Sequence, residues 1–326
     1  MVLFLTKACA FLMSLFLTLV PYAGLSGLNF EASDDGIKLN IAMVSDVHID
    51  PYMPIRTSFL KQALNNLSRA DTKINVMLNA GDVTNYADYE SLIEYYDTIA
   101  DYATFPVITA AGNHDIGHAG DRDVVDYDRE AAKDYFIYYH NLYTGANIDT
   151  TYFSQTVGGY KFIAIGDEVI DGGHWDGLSM SKTQIEWLDK ELDSANGKPV
   201  FVISHWPGDS TTGEDIIWDD SCVDYGENPI KEVLESHKNV IFISGHMHGG
   251  IRCTAVGELF NMPMAEKING VTYMNLPTFG IVNQYGITWS GTGANLEVYS
   301  DKVVFRPVNY LTGVFYDNSA YTFTLD

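Results

Sequence analysis

Positive charge is scarce in this sequence: 19 Lys and Arg face 43 Asp and Glu, a formal net charge of −24 over 326 residues. Repulsion of that sign opposes encounter with nucleic acid or anionic lipid, so no nucleic-acid partner is expected. Cysteine is scarcer still, with only Cys9, Cys222 and Cys253. Repeats, low-complexity tracts and Pro/Gly-rich linkers are missing, and with them any sign of an array or a hinged pair of domains. Long apolar runs are missing too, apart from Ala8–Val20. That run is too short for a comfortable membrane span. It follows one basic residue, Lys7, and precedes small residues at Ala23, Gly24, Ser26 and Gly27. It reads as a secretory signal peptide over residues 1–27, leaving 28–326 as a single domain with no transmembrane span. The expected location is secreted or extracytoplasmic. Cys9 leaves with the leader, and Cys222 and Cys253 are compatible with one disulfide in an exported chain. Asn66-Leu67-Ser68 is the single glycosylation sequon, used only where the host glycosylates.

What is present is a chain 46% hydrophobic, enough for a well-buried core. Apolar runs alternate with helix-like stretches. Strands are expected over 38–45, 74–80 and 105–111, and helices over 57–70, 87–103 and 128–140. A hairpin is expected around Gly158-Gly159, then a helix over 181–195 with Ser181 as its N-cap. Two continuously apolar runs, 199–204 and 239–244, read as buried strands. The part from Gly270 onward is strand-rich. Alternation of this kind suggests a layered α/β domain, whose ligands sit beyond the carboxyl ends of the strands.

His, Asp and Asn collect at those ends. Strand 38–45 runs into Asp46 and His48, strand 74–80 into Asp82, and strand 105–111 into Asn113 and His114. The two later runs lead into His205 and into His246 and His248. Residues two apart on extended chain point the same way, so Asp46 with His48, and His246 with His248, are expected to act as two-pronged clamps. Imidazole and carboxylate together suit manganese, iron or zinc. Six imidazole or carboxylate groups and one amide oxygen, that of Asn113, are enough for two centres that share one carboxylate. Two ions about 3.5–4 Å apart can clamp a phosphoryl group and supply a hydroxide nucleophile. Gly81, Gly112 and Gly245 are expected to let the backbone turn sharply beside them.

The ordered series Asp46-x-His48, Gly81-Asp82, Gly112-Asn113-His114-Asp115, His205 and Gly245-His246-x-His248 resembles the calcineurin-like metallophosphoesterases. The stretch 177–192 also resembles the helix before the fourth motif in many members. The resemblance implies an αββα fold, two packed mixed β-sheets with helices outside. It implies two metal ions, divalent or a mixed-valence pair, one of them held by Asp46, His48, Asp82 and His248. A second would be held by Asp82, Asn113, His205 and His246, with Asp82 bridging. His114 would be no ligand; it would face the phosphate and protonate the leaving oxygen. The implied activity is hydrolysis of a small-molecule phosphomono- or phosphodiester, by a phosphatase or phosphodiesterase. A catalytically silent metal-binding receptor or scaffold is the alternative, and a secreted carbohydrate-binding domain a more distant one. Asp115 is expected to hold its loop by accepting from backbone N–H groups.

Some positions depart from parts of the family. The purple acid phosphatase branch carries a tyrosine ligand three residues after the bridging Asp and lacks D-x-H. Here that position is Asn85, with Tyr86 displaced by one, and Asp46-x-His48 is present. Protein phosphatases of the wider family place there an Asp that orients the catalytic His, and Asn85 is expected to do a neutral version of that job. Chain size and motif order look most like bacterial-type cyclic-nucleotide phosphodiesterases and secreted relatives. His118 reads as surface, and His174 and Trp175 as a Gly-rich loop near the site. His140 and His237 read as helix-end residues. The acidic segment 208–229, with Trp218, Cys222 and Tyr225, reads as a solvated insertion or as a cap over the cleft.

Overall fold

A computed structural model describes residues 36–116, 129–168, 177–217, 221–223, 229–251, 262–280 and 290–326. The signal-peptide reading of residues 1–27, His118, His174, Trp175, Trp218, Tyr225 and Cys253, and with Cys253 the disulfide, lie outside the described residues. No described helix is long and apolar enough to cross a membrane.

Two mixed sheets form the centre. The first has the order β12-β11-β10-β1-β2-β3, with β13 also on β11. Its parallel part is β1 (Leu39–Val44), β2 (Val76–Asn79) and β3 (Val107–Thr109). Its antiparallel part is β10 (Thr292–Val298), β11 (Lys302–Asn309), β12 (Val314–Phe315) and β13 (Tyr321–Thr324). The second sheet runs β4-β5-β6-β7-β9-β8. There β5 (Tyr160–Ala164), β6 (Val200–Ile203), β7 (Val240–Ser244) and β9 (Val271–Asn275) are parallel. The edge strands β4 (Phe153–Val157) and β8 (Ala265–Ile268) are antiparallel to their neighbours.

Alternation along the strands divides the core in two. Leu39, Ile41, Met43, Leu78 and Ile108 meet Phe162, Phe201, Ile203, Ile241 and Met274 between the sheets. Ala42, Val44, Ile163, Val202 and Phe242 turn the other way, into the apolar layer shared with the helices. Those helices are α1 (Ile55–Ser68), α2 (Tyr89–Tyr102), α3 (Arg129–Thr144), α4 (Lys182–Asp193) and the short α5 (Glu214–Ile217) and α6 (Ile230–Glu235). The result is the expected αββα sandwich. Parallel strands buried on both faces need no polar alternation, which is why they read as continuous apolar runs.

Local chemistry sets the helix ends. Ser181 accepts from Gln184 N at 3.2 Å as the N-cap of α4. Asp88 caps α2 in the same way through Ser91 N at 2.7 Å. Two expectations change. His140 is no solvated helix-end charge: it lies inside α3, 2% exposed, with Nδ1 3.2 Å from Tyr96 Oη. Burial pushes its pKa down to about 4, so it stays neutral. Asn66 faces inward from α1 and donates Nδ2 to Tyr310 O at 2.8 Å, so a glycan on the sequon is incompatible with the packed helix. His237 behaves as expected, lying just past α6 with Nε2 2.8 Å from Asp189 Oδ1.

Candidate metal centre

All five parallel strands that end in candidate residues point those ends to one mouth. β1, β2 and β3 deliver Asp46, His48, Asp82, Asn113 and His114; β6 and β7 deliver His205, His246 and His248. The backbone there is strained. Among the described residues, eleven non-glycine residues have positive φ, and Asp46, His48, Asp82, His246 and His248 are five of them, at φ 47–70°. Such left-handed residues persist only where the surroundings over-determine them, and they gather at functional sites. Extended-chain alternation is therefore the wrong reason for the clamps. Asp46 and His48 do share one cluster, but His246 and His248 turn into different ones.

The first cluster joins Asp46, His48, Asp82 and His248, with one donor atom from each lying within 4.8 Å of the others. His248 Nε2 is 3.2 Å from Asp46 Oδ1, and His48 Nε2 is 3.7 Å from Asp82 Oδ2. The second collects round the same Asp82 oxygen. His205 Nε2 is 3.2 Å from Asp82 Oδ2, and His246 Nδ1 is 3.1 Å from both His205 Nε2 and Asn113 Oδ1. Asp82 is split between two duties. Its Oδ1 accepts the His114 backbone N–H at 2.9 Å, while Oδ2 lies between the clusters.

Other contacts fix which ring nitrogen faces inward. His205 Nδ1 donates to Ala80 O at 2.8 Å, so Nε2 is the inward atom. His246 Nε2 is 2.7 Å from Ser221 Oγ, which leaves Nδ1 inward. His114 Nδ1 donates to Asn85 O at 2.9 Å, its ring 4.7 Å from that of His48 and partly exposed. Asn85 thus holds His114, but with its main chain: its side-chain amide donates instead to Asp50 Oδ2 at 3.1 Å. Asp115 does what was expected of it. Its carboxylate accepts from Gly112 N at 2.9 Å, Thr84 N at 2.8 Å and Val83 N at 3.2 Å. Burial, then the nearby Asp82 charge, pushes it up to about 6 against those bonds.

The glycines act by closeness more than by turning. A Cβ on Gly112 would collide with Asp82 Oδ1 and N, and one on Gly245 with Ser45 Oγ. Only Gly81 of the three has positive φ, at 92°.

Do these residues fit cations? Both oxygens of Asp46 and Oδ2 of Asp82 are buried, and their near neighbours are imidazole nitrogens rather than backbone or amide N–H donors. Buried carboxylate oxygens of that kind call for a compensating charge. Around them the inward atoms are nitrogen and oxygen lone pairs, as hard or borderline divalent ions require. Without an ion, a proton does part of the work. Burial opposes the charged form of His205, yet Asp82, then Asp46, hold it up to about 9. Burial alone would raise the Asp46 carboxyl; His248, then His205, bring it down to about 2. Burial, then His205, hold His246 below its ordinary value, and burial does the same for His48 against Asp82. The donor set fits. A separate cavity of about 650 Å³ between β3 and β4, lined by Tyr96, Phe105, Tyr143 and Phe153, touches none of these residues.

The segment after His205 is only partly solvated where it is described: Asp209, Ser210, Asp215 and Ile216 are exposed, but other parts pack inward. Residues 211–214 and 221–223 are buried. Val223 N donates to Pro207 O at 2.8 Å, and Cys222 O accepts from Leu178 N at 3.2 Å. Sequence reasoning missed Ser221 and Asp50. Asp50 had a signal, standing two residues past His48; Ser221 had none.

A family model for calcineurin-like phosphoesterase matches residues 39–250. Among solved structures, a purple acid phosphatase from yellow lupin (Lupinus luteus) seeds is similar, with a TM-score of 0.56 at 13% identity. The match covers 88% of this chain and 54% of that one, so this chain spans about half the length of the lupin enzyme. The phosphopantetheinyl hydrolase of Mycobacterium tuberculosis matches with a TM-score of 0.41 at 13% identity, over 74% of this chain and 91% of that one. An uncharacterised protein of Streptococcus pneumoniae matches with a TM-score of 0.38 at 12% identity, over 88% and 97%. No curated protein matches the sequence.

Proposed function

Since the chain belongs to the calcineurin-like phosphoesterases, we propose that it is an exported, dinuclear metal-dependent hydrolase of small phosphomono- or phosphodiesters. The observation that carries this reading is the division of Asp82. One oxygen fixes the backbone of His114, and the other is shared by two clusters of inward-facing donors. Asp46, His48, Asp82 and His248 would hold one ion; Asp82, Asn113, His205 and His246 would hold the other. The ions, when bound, supply positive charge to the phosphate oxygens and lower the pKa of water.

The rest falls to side chains of this chain. Asn113 adds an amide oxygen without adding charge. His114 offers the leaving oxygen its Nε2, since Nδ1 is committed to Asn85 O. It is the leaving-group acid in this reading. Asp115 keeps the loop of Asn113 and His114 in register with Val83 and Thr84.

Metal-free protein should take up two Mn(II) ions and then hydrolyse aryl phosphate mono- or diesters. Asp82→Asn should lower uptake at both centres, read by elemental analysis. A wild type that binds two ions yet is silent on mono- and diesters with manganese, iron and zinc would hand the site to the scaffold alternative. Export rests on the apolar run Ala8–Val20; N-terminal sequencing of the mature chain should begin near residue 28, and an intact Met1 on the mature protein would count against it.

A further inference from the structure

Resting on the two-centre reading above, we infer that Ser221 is a positioning residue for His246, delivered by the segment that follows His205. Its side chain is 5% exposed, and its Oγ is 2.7 Å from His246 Nε2. On the other side of the ring, Nδ1 stands 3.1 Å from Asn113 Oδ1 and from His205 Nε2. An imidazole that offers Nδ1 to a cation must carry its proton on Nε2, and that proton needs an acceptor inside the protein. Ser221 Oγ is that acceptor.

The main chain on either side keeps the hydroxyl there. Cys222 O accepts from Leu178 N, and Val223 N donates to Pro207 O. The chain thus leaves the centre at His205, folds through the buried residues 211–214, and returns to brace the next imidazole. The two imidazoles of this centre are braced differently. His205 leans on the Ala80 carbonyl, which no substitution removes; His246 leans on a side chain, which one substitution does remove. The first cluster has no matching device at His48, whose buried Nδ1 meets no hydrogen-bond partner. Because Ser221 touches His246, which serves one proposed centre and not the other, the effect of losing it is confined to that centre.

With Ser221→Ala, Nε2–H loses its acceptor and the tautomer with the proton on Nδ1, which cannot take an ion, gains population. Calorimetric titration of metal-free mature protein with Mn(II) reads this directly. Wild type should take up two ions. Ser221→Ala should keep one affinity and weaken the other about 10–100-fold, the usual cost of losing such a partner. Ser221→Thr, which keeps the hydroxyl, should recover the second affinity, and thermal unfolding of the metal-free variants should match wild type. Two unchanged affinities in Ser221→Ala would overturn the role of Ser221 and leave the two-centre reading standing. Equal loss at both centres with a lowered metal-free unfolding temperature would make Ser221 a packing residue and overturn it too. A wild type that takes up fewer than two ions would remove both readings together.

Discussion

At the scale of single residues, the site is built from groups that each have two jobs. Asp82 holds His114 with one oxygen and lies between two clusters with the other. His114 is tied at Nδ1 and open at Nε2. Replacing His114 with Ala should leave ion uptake at two and lower turnover about 10²–10⁴-fold, the usual contribution of a positioned acid. The loss should be smallest for good leaving groups such as nitrophenolate. Steady-state rates on aryl and alkyl esters of one phosphate would check it, and loss of metal in this variant would mean His114 is a ligand. These residues were legible because chemistry-bearing side chains in short motifs directly follow apolar runs. Their backbone was not. Nothing in Asp46-x-His48 announces φ values of 56° and 50°. The main-chain role of Asn85 was equally hidden, because a carbonyl is the same in every residue.

At the scale of elements, α3 carries the clearest consequence. His140 is buried against Phe136, Phe153 and Tyr96, and its pKa falls to about 4. In the unfolded chain the ring takes a proton below its ordinary value of about 6.5; in the folded chain it resists until about 4. The unfolded state thus binds the extra proton between those limits, and stability is lost as pH falls through that window. The full loss is about 3 kcal/mol, at about 1.4 kcal/mol per pH unit. Chemical denaturation of His140→Gln across that range should show this part of the acid slope removed; an unchanged slope would assign it elsewhere. Long periodic elements such as α1, α2 and α4 were readable from their patterns, and Ser181 from its capping chemistry. The edge strand β8, with the mixed sequence Ala-Glu-Lys-Ile, and the two-residue β12 were not. Edge strands are short and partly polar, and their pairing is set by a neighbour distant in sequence. The fold of the segment after His205 was hidden for the same reason: its anchors, Leu178 and Pro207, are met only once the chain has folded.

At the scale of the molecule, the two clusters straddle the sandwich. Asp46, His48, Asp82 and Asn113 follow strands of the first sheet, and His205, His246 and His248 follow strands of the second. Each proposed centre draws on both. Anything that binds the folded form alone stabilises it, by about 2.7 kcal/mol per site at a hundredfold excess over Kd. Adding Mn(II) to metal-free protein should therefore raise the unfolding temperature, and Asp82→Asn should lose most of that rise. A wild-type unfolding temperature indifferent to metal would argue against ions that span the sheets.

That straddling has a practical side. Between the sheets the apolar core continues with or without ions, but at the mouth two buried carboxylates and a ring of imidazoles would be left facing one another. If the proposed ions bind there, a strong chelator would do more than stop hydrolysis. It would unfasten one end of the sandwich, and the loops after β1 and β2 would become the first places for a protease to cut, long before the far end gave way.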